Sequence, residues 1–196
     1  MIEPHDAATV AIWRKLERER LIAARLALPA DYRAAQSTAI AGELDREIPA
    51  RVGTIVSAYW PIRGEPDLRS WMQSACERGL RIALPVAVAP RQPLQFREWR
   101  PDATMARGLW NIPHPAGGAE LVPTVMLAPV VGYDRARYRL GYGGGFFDRT
   151  LAQLAPRPQV IGIGYPKAAI ETIYPQPHDI PMHNIVTGAA FAPGPL

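Results

Sequence analysis

The sequence predicts an α/β fold: a single three-layer domain over residues 1–196, with a central, mostly parallel or mixed sheet flanked by helices and preceded by two N-terminal helices. Three observations carry this. Short β-rich apolar runs alternate with segments of helical spacing. Two helical segments stand before the first such run. A glycine-rich stretch, Arg139 to Arg149, joins an apolar run, Thr124 to Val131, to a helical segment, Phe146 to Leu154. Open α/β sheets bind ligands at such strand-to-helix loops.

Residues 8–28 form the first expected helix. Ile12, Leu16, Ala23 and Leu26 lie along one stripe, interrupted by Glu19, and that stripe is expected to face the core. Arg14 and Arg18 stand one turn apart on the opposite face, with Arg25 nearby. A solvated face salted with Glu17 and Glu19 explains them, and so does a basic ridge lent to an anion. Pro29 ends this helix, and a second runs from Asp31 to Glu47, with Pro49 as its stop. Thr54 to Tyr59 is the first strand, followed by the loop Trp60 to Pro66. Asp67 can cap a third helix with Leu68, Trp71, Met72 and Ala75 on one face, closed by Gly79.

Arg81 to Leu84 and Leu94 to Trp99 read as strands. Gly108 to Pro115, with Gly117 and Gly118, reads as a long loop; Trp110 and Ile112 are costly to expose, so it is expected to fold over something. Val125 to Val131 is a strand broken by Pro129, Val160 to Ile163 another, and Ile185 to Thr187 a last short one. The tail, Ala192 to Leu196, is proline-rich and expected to be loose.

Composition narrows the class. The chain has 196 residues, 48% hydrophobic and 20% charged, as soluble globular domains do. Net charge is +4, and of 22 basic residues only Lys15 and Lys167 are lysine. Guanidinium forks match phosphate and carboxylate, but the arginines are scattered without interleaved aromatics, which argues against a nucleic-acid face. The single cysteine, Cys76, excludes an internal disulfide or a cysteine-rich metal site. No signal-peptide pattern or membrane-length apolar run occurs, so a cytoplasmic protein without membrane attachment is expected.

The glycine loop carries the most chemistry. Gly141, Gly143, Gly144 and Gly145 remove the side chains that would block an approaching phosphate. The helix start after them offers unpaired amides. Arg139 and Arg149 add charge at either end, and Asp148 is a hard oxygen ligand suited to magnesium, although the helix dipole alone also favours a carboxylate there. The common nucleotide fingerprints are absent: no Gly-Lys-Ser/Thr follows, and Phe146 stands where a dinucleotide loop needs glycine. A purely structural glycine turn remains an equal alternative on spacing alone.

Glu65, between Gly64 and Pro66, either points into a cleft or is a solvated loop residue. Asp179 lies in the proline-stiffened turn Pro177 to Pro181, and organising that turn is the alternative to a site role. His178 and His183 lack a third ligand for a transition metal. No nucleophile elbow is present. What remains is a phosphate cradle, arginines, two candidate magnesium carboxylates and aromatic loops. That set suits a nucleoside triphosphate and an aromatic co-substrate, with catalysis by positioning and charge neutralisation.

The run Arg139-Leu140-Gly141-Tyr142-Gly143-Gly144-Gly145-Phe146-Phe147-Asp148-Arg149 closely resembles the signature of the 5-formyltetrahydrofolate cyclo-ligase (5,10-methenyltetrahydrofolate synthetase) family. In order and spacing, so do Arg14 and Arg18, the Trp60–Glu65 loop, Trp110 to Pro113, Pro129 to Asp134, and His178-Asp179 followed by Val186-Thr187. The resemblance implies ATP-dependent conversion of 5-formyltetrahydrofolate to 5,10-methenyltetrahydrofolate, with magnesium, releasing ADP and phosphate. By motif match, Arg14, Arg18 and Arg139 through Phe147 would bind the nucleotide, with Asp148 and Asp179 holding magnesium. Trp60, Glu65, Trp110 and Tyr142 to Phe146 would contact the folate, and Arg139 and Glu65 would act in catalysis. A monomer with ATP and a reduced folate as its partners, and neither nucleic acid nor membrane, is expected. Two departures stand out: Tyr142 and Gly144 replace an arginine and a lysine found inside the loop in some members, and Phe146 and Phe147 replace a tyrosine pair. The missing charges motivate an alternative, a catalytically weak paralogue that binds folate or nucleotide in regulation.

Overall fold

A computed structural model gives the fold and describes residues 6–188; the proline-rich tail from Ala192 lies outside the described residues. Helix α1 (Ala7–Leu26) is started by Asp6, whose Oδ1 accepts from the amides of Ala8 at 2.8 Å and Thr9 at 2.9 Å. After Pro29 comes α2 (Ala30–Glu47). The remaining elements are β1 (Ile55–Ser57), α3 (Arg69–Glu77), β2 (Arg81–Val86), β3 (Gln95–Trp99), β4 (Met105–Arg107), β5 (Pro113–Pro115), β6 (Val125–Pro129), β7 (Gly132–Tyr133), β8 (Arg139–Leu140), α4 (Phe146–Leu151), β9 (Gln159–Ile163) and β10 (Asn184–Val186).

The six-stranded sheet has the order β10-β9-β6-β1-β2-β3. Every pairing is parallel except β2 with β3, so the sheet is mixed. All five residues of β6 are buried, as a parallel strand covered on both faces requires. One face packs Val56, Ile82, Leu127 and Ile161 against Ile40 and Leu44 of α2 and Trp71, Met72 and Ala75 of α3. The other packs Ala83, Met126, Ala128 and Val160 against Leu151 of α4. A third small cluster joins Leu21 of α1 to Val131, Leu140 and Ile173. Thus α1 lies over segments that leave the carboxyl ends of β6 and β8, where an α/β fold places its site.

The expected architecture is present; its corrections are local. The stripe on α1 is reversed: Ile12, Leu16 and Leu26 are 63%, 59% and 53% exposed, while Val10, Arg14, Leu21 and Arg25 are buried. The reason is that α1 covers loop carbonyls as well as apolar side chains. Arg14 donates through Nε to Ile173 O and through Nη2 to Tyr174 O, both at 2.9 Å. An arginine each of whose nitrogens has an acceptor, as Arg14 does, can be buried where leucine would leave carbonyls unpaired.

The expected long loop at 108–118 is largely a hairpin, β4 pairing antiparallel with β5 across a turn at Leu109–Asn111 in which Trp110 (φ +55°) and Asn111 (φ +61°) are left-handed. Pro129 ends β6 rather than interrupting it: Val130 N still donates to Ile163 O of β9 at 2.9 Å, but Val131 N turns to Leu140 O at 2.9 Å. The β7–β8 hairpin then intervenes, so β8 is the strand that enters the glycine loop. Helix α4 stops at Leu151, shorter than its periodicity suggests. Asp67 stands one residue ahead of the formal cap, Leu68, yet its Oδ1 still accepts from the Arg69 amide at 3.0 Å.

Candidate active site

The glycine loop leaves β8 and turns into α4 through two left-handed residues, Gly143 at φ +95° and Gly145 at φ +65°. Side chains are strained there, which is why glycine is needed. Arginines hold the loop by its carbonyls: Arg18 Nε donates to Gly141 O at 2.7 Å, and Arg149 Nη1 to Gly144 O at 3.3 Å. Among the described residues, the Gly143 and Gly144 amides donate to no protein acceptor. Carbonyls held by arginines and amides left open suit an anion at the loop.

Beneath the loop is a charged cluster. Arg14 meets Asp179 through two bonds, Nη1–Oδ1 at 3.3 Å and Nη2–Oδ2 at 2.5 Å. Arg139 meets Asp148 at 3.0 Å, and its guanidinium lies 4.7 Å from the centre of the Phe147 ring. The other Asp148 oxygen accepts from the Ile180 amide at 3.2 Å, next in sequence to Asp179, so the two carboxylates share one locale. Asp179 Oδ2 also takes the Gln176 amide at 2.7 Å. Burial opposes ionisation of Asp179, but the hydrogen bonds from Arg14 and Gln176 outweigh it and hold its carboxyl below the usual range. Burial, and then the charge on Arg14, pull the Arg18 guanidinium down. Burial does the same to Arg139, against the opposing pull of Asp148 and Asp179. Three arginines thus face two carboxylates, a surplus positive charge under a glycine cradle.

Leu140 is fully buried and anchors β8 in the α1 cluster. Phe147 packs against the second core cluster. Both are structural supports of the loop. Phe146 instead meets Trp110 edge-on, ring centres 5.2 Å apart, with Trp110 63% exposed. The turn between β4 and β5 therefore folds against the glycine loop, as its apolar residues led one to expect.

Glu65 is 6% exposed and sits inside its own turn. Its Oε2 accepts from the Ile62 amide at 2.9 Å, and its Oε1 from the Tyr142 hydroxyl at 2.7 Å. Burial pushes its carboxyl above the usual range, countered by the Ile62 amide, Tyr142, Arg25 and Arg63. Tyr142 also receives a hydrogen bond from Arg25 Nη2. Trp60 stands on the far side of this turn, its ring 5.4 Å from the Arg69 guanidinium. It lines, with Glu65, a cleft of about 800 Å³ between α2 and α3.

Sequence reasoning gathered Arg14, Arg18, Arg139, Asp148 and Asp179, and the structure brings them together. It also joins Tyr142 to Glu65 and Trp110 to Phe146, while Trp60 keeps company with Arg69. Three residues were missed as site residues. Arg25 shares a helical face with Arg14 and Arg18, and that recurrence was a usable signal. Arg33 lines the cleft, and Tyr165, 3% exposed, places a buried hydroxyl there that has no hydrogen-bond partner among the described residues. Burial raises that phenol to about 12. Nothing local in the sequence marks either one.

Comparison with known proteins gives the family. The sequence profile described as the 5-formyltetrahydrofolate cyclo-ligase family matches residues 10–188. The 5-formyltetrahydrofolate cyclo-ligase of Mycolicibacterium smegmatis is 34% identical over 179 residues, covering 87% of this chain and 91% of that protein. The Escherichia coli K12 protein of the same name is 27% identical over 147 residues, covering 71% and 80%. In fold, the 5,10-methenyltetrahydrofolate synthetase of Aquifex aeolicus superposes with a TM-score of 0.78 at 24% identity, covering 90% of each chain. That of Mycoplasma pneumoniae gives 0.74 at 20% identity, covering 90% and 99%. With its glycine loop, its arginine–carboxylate cluster and a profile match spanning nearly all the described residues, the chain belongs to the 5-formyltetrahydrofolate cyclo-ligase family.

Proposed function

We propose that the protein converts 5-formyltetrahydrofolate to 5,10-methenyltetrahydrofolate at the expense of ATP, releasing ADP and phosphate. One observation supports the reading above the others: Tyr142 belongs to the glycine loop and its hydroxyl touches the buried carboxylate of Glu65. A phosphate cradle and a carboxylate suited to polar ring edges therefore share a wall.

The chemistry asks for little beyond positioning. The formyl oxygen is a poor leaving group until the terminal phosphoryl of ATP is transferred to it. The neighbouring folate nitrogen then attacks the formyl carbon, the ring closes and phosphate leaves. Arg14, Arg18 and Arg139 spread positive charge along the transferring phosphoryl, and the open amides of Gly143 and Gly144 receive its oxygens. Glu65 accepts hydrogen bonds from the pterin edge and orients the formyl group. Trp110 and Phe146 offer flat apolar surface to the rings.

Magnesium, bound together with ATP, would offset phosphate charge. Asp148 and Asp179 fit it, because magnesium is held by one or two carboxylates and completed by phosphate oxygens and water. No larger cluster of ligand side chains exists among the described residues. Arg14 and Arg139, paired to these carboxylates here, stand close enough to the site to turn to phosphate, and would do so were the carboxylates to hold a metal.

ATP and a reduced folate are the partners in this reading. We further propose a cytoplasmic monomer; no helix among the described residues is long and apolar enough to cross a membrane. Purified protein with magnesium, ATP and 5-formyltetrahydrofolate should develop the absorbance of the methenyl product. A flat trace with all components present would overturn the assignment.

A further inference from the structure

Arg25 belongs to no signature, yet it is 6% exposed and each nitrogen of its guanidinium has an acceptor on a different segment. Nε donates to Arg63 O at 3.0 Å in the loop after β1. Nη1 reaches Val130 O at 3.4 Å at the exit of β6. Nη2 donates to the Tyr142 hydroxyl in the glycine loop, and that hydroxyl passes its own hydrogen to Glu65 Oε1. The Tyr142 ring is flanked by two guanidinium carbons, Arg25 at 5.6 Å and Arg63 at 5.7 Å from its centre.

We infer that Arg25 is a positioning residue that ties the Trp60–Pro66 loop to the glycine loop, fixing Tyr142 against Glu65 where the folate side and the nucleotide side of the site meet. The inference rests on the proposed function for its kinetic consequence, though the linkage itself does not.

The direction of the bonds supports it. A cationic donor, a hydroxyl and a carboxylate stand in line, and each bond polarises the next. Both Glu65 oxygens already have donors, so a folate ring edge reaching Oε1 must share it with Tyr142 or displace it. Displacement would shift the backbone of the loop that carries Gly143 and Gly144. Arg25 sets how far that shift goes, because the same guanidinium holds both loops. A chain without an internal arginine or lysine in its glycine loop thereby gains a cation beside that loop from α1.

A double-mutant cycle tests this. Arg25→Lys keeps the charge and loses the fork; Tyr142→Phe cuts the chain at its centre and leaves the ring. Two readouts are taken: KM for 5-formyltetrahydrofolate against kcat, and hydrogen exchange of the Ile62 and Glu65 amides, which are bonded within the turn at 2.9 and 3.0 Å. Each single variant should raise the folate KM and the exchange rate about tenfold, with KM moving more than kcat. The double variant should fall clearly short of the product of the two single effects, since the bond between Arg25 and Tyr142 can be lost only once. Effects that multiply would show that Arg25 acts only as local packing, and would overturn the inference. A wild type without turnover would sink the proposed function instead, and the exchange cycle would still decide the linkage.

Discussion

Arg14 and Asp179 lie 165 positions apart in the chain and meet through two parallel hydrogen bonds, at 3.3 and 2.5 Å. The pair pins the Ile173–Ile180 segment to α1, since Arg14 also takes the carbonyls of Ile173 and Tyr174. The Asp179 carboxyl is held below its ordinary range in the folded protein. Between the folded and unfolded pKa values the unfolded chain binds more protons, so the contribution to stability is fully present above the unfolded pKa and is lost as pH falls through the folded one. Asp179→Asn should therefore lower Tm at neutral pH by at least about 3 °C, the shift for a loss on the order of 1 kcal/mol in a chain of this size. Its curve should converge on the wild type in strong acid. A constant gap across a pH series of thermal melts would show that the charge is not what matters.

Asp148 has two duties, and a single variant separates them. It neutralises Arg139, whose side chain is 9% exposed, and it is the proposed magnesium ligand. Asp148→Asn keeps the shape and removes the charge. Leaving a buried guanidinium unpaired costs up to about 3–5 kcal/mol, so the variant should melt earlier while keeping its circular dichroism. Saturation with magnesium-ATP should need roughly tenfold more nucleotide, about 1.4 kcal/mol of binding, with the folate KM within about twofold. Equal losses for both substrates would point to a general collapse of the loop.

Glu65→Gln tests the folate side. The carboxylate is buried and its pKa raised, first by desolvation. It therefore gains its proton at a higher pH than an exposed glutamate near 4.3. If the ionised form receives the pterin edge, kcat/KM for folate falls on the acid side as Glu65 protonates. The amide should raise the folate KM about tenfold, a loss near 1.4 kcal/mol, and flatten that acid limb while leaving the ATP KM nearly unchanged. An unaltered pH profile would reduce Glu65 to a turn-forming role, through its bond to the Ile62 amide.

What could be read from the sequence follows the range of the forces involved. Alternation of apolar runs with helical spacing placed the sheet and helices, because burial on β6 and on the α2 and α3 faces is a local pattern. The glycine loop was legible because the conformations at Gly143 and Gly145 leave few residue choices. The α1 stripe misled, since burial of Arg14 and Arg25 depends on the carbonyls of Ile173, Tyr174, Arg63 and Val130, all distant in sequence. Tyr165 and Arg33 were invisible for the same reason: only the closing of α2 over the loop after β1 puts them in one cleft.

The last prediction concerns Gly144, whose neighbours Gly143 and Gly145 are left-handed for backbone reasons. Gly144 is constrained by space. A Cβ there would lie 2.7 Å from Cδ2 and 2.8 Å from Cε2 of Phe146, closer than carbon atoms approach without displacement. The Phe146 ring would have to turn, and its edge-on contact with Trp110 at 5.2 Å would go with it. Gly144→Ala should therefore act as an aromatic-wall mutation, raising the folate KM by about tenfold, the 1.4 kcal/mol scale of one lost contact set. Gly143→Ala meets no such ring; its nearest side-chain neighbour is Arg18 at 3.4 Å. It instead strains the backbone by roughly 1–2 kcal/mol and should fall on ATP affinity and Tm. Measuring both substrates' KM in both variants gives opposite selectivities if a side chain added at Gly143 faces the nucleotide and one added at Gly144 faces the folate. The same selectivity in both variants would mean that the loop's side-chain face serves one ligand only.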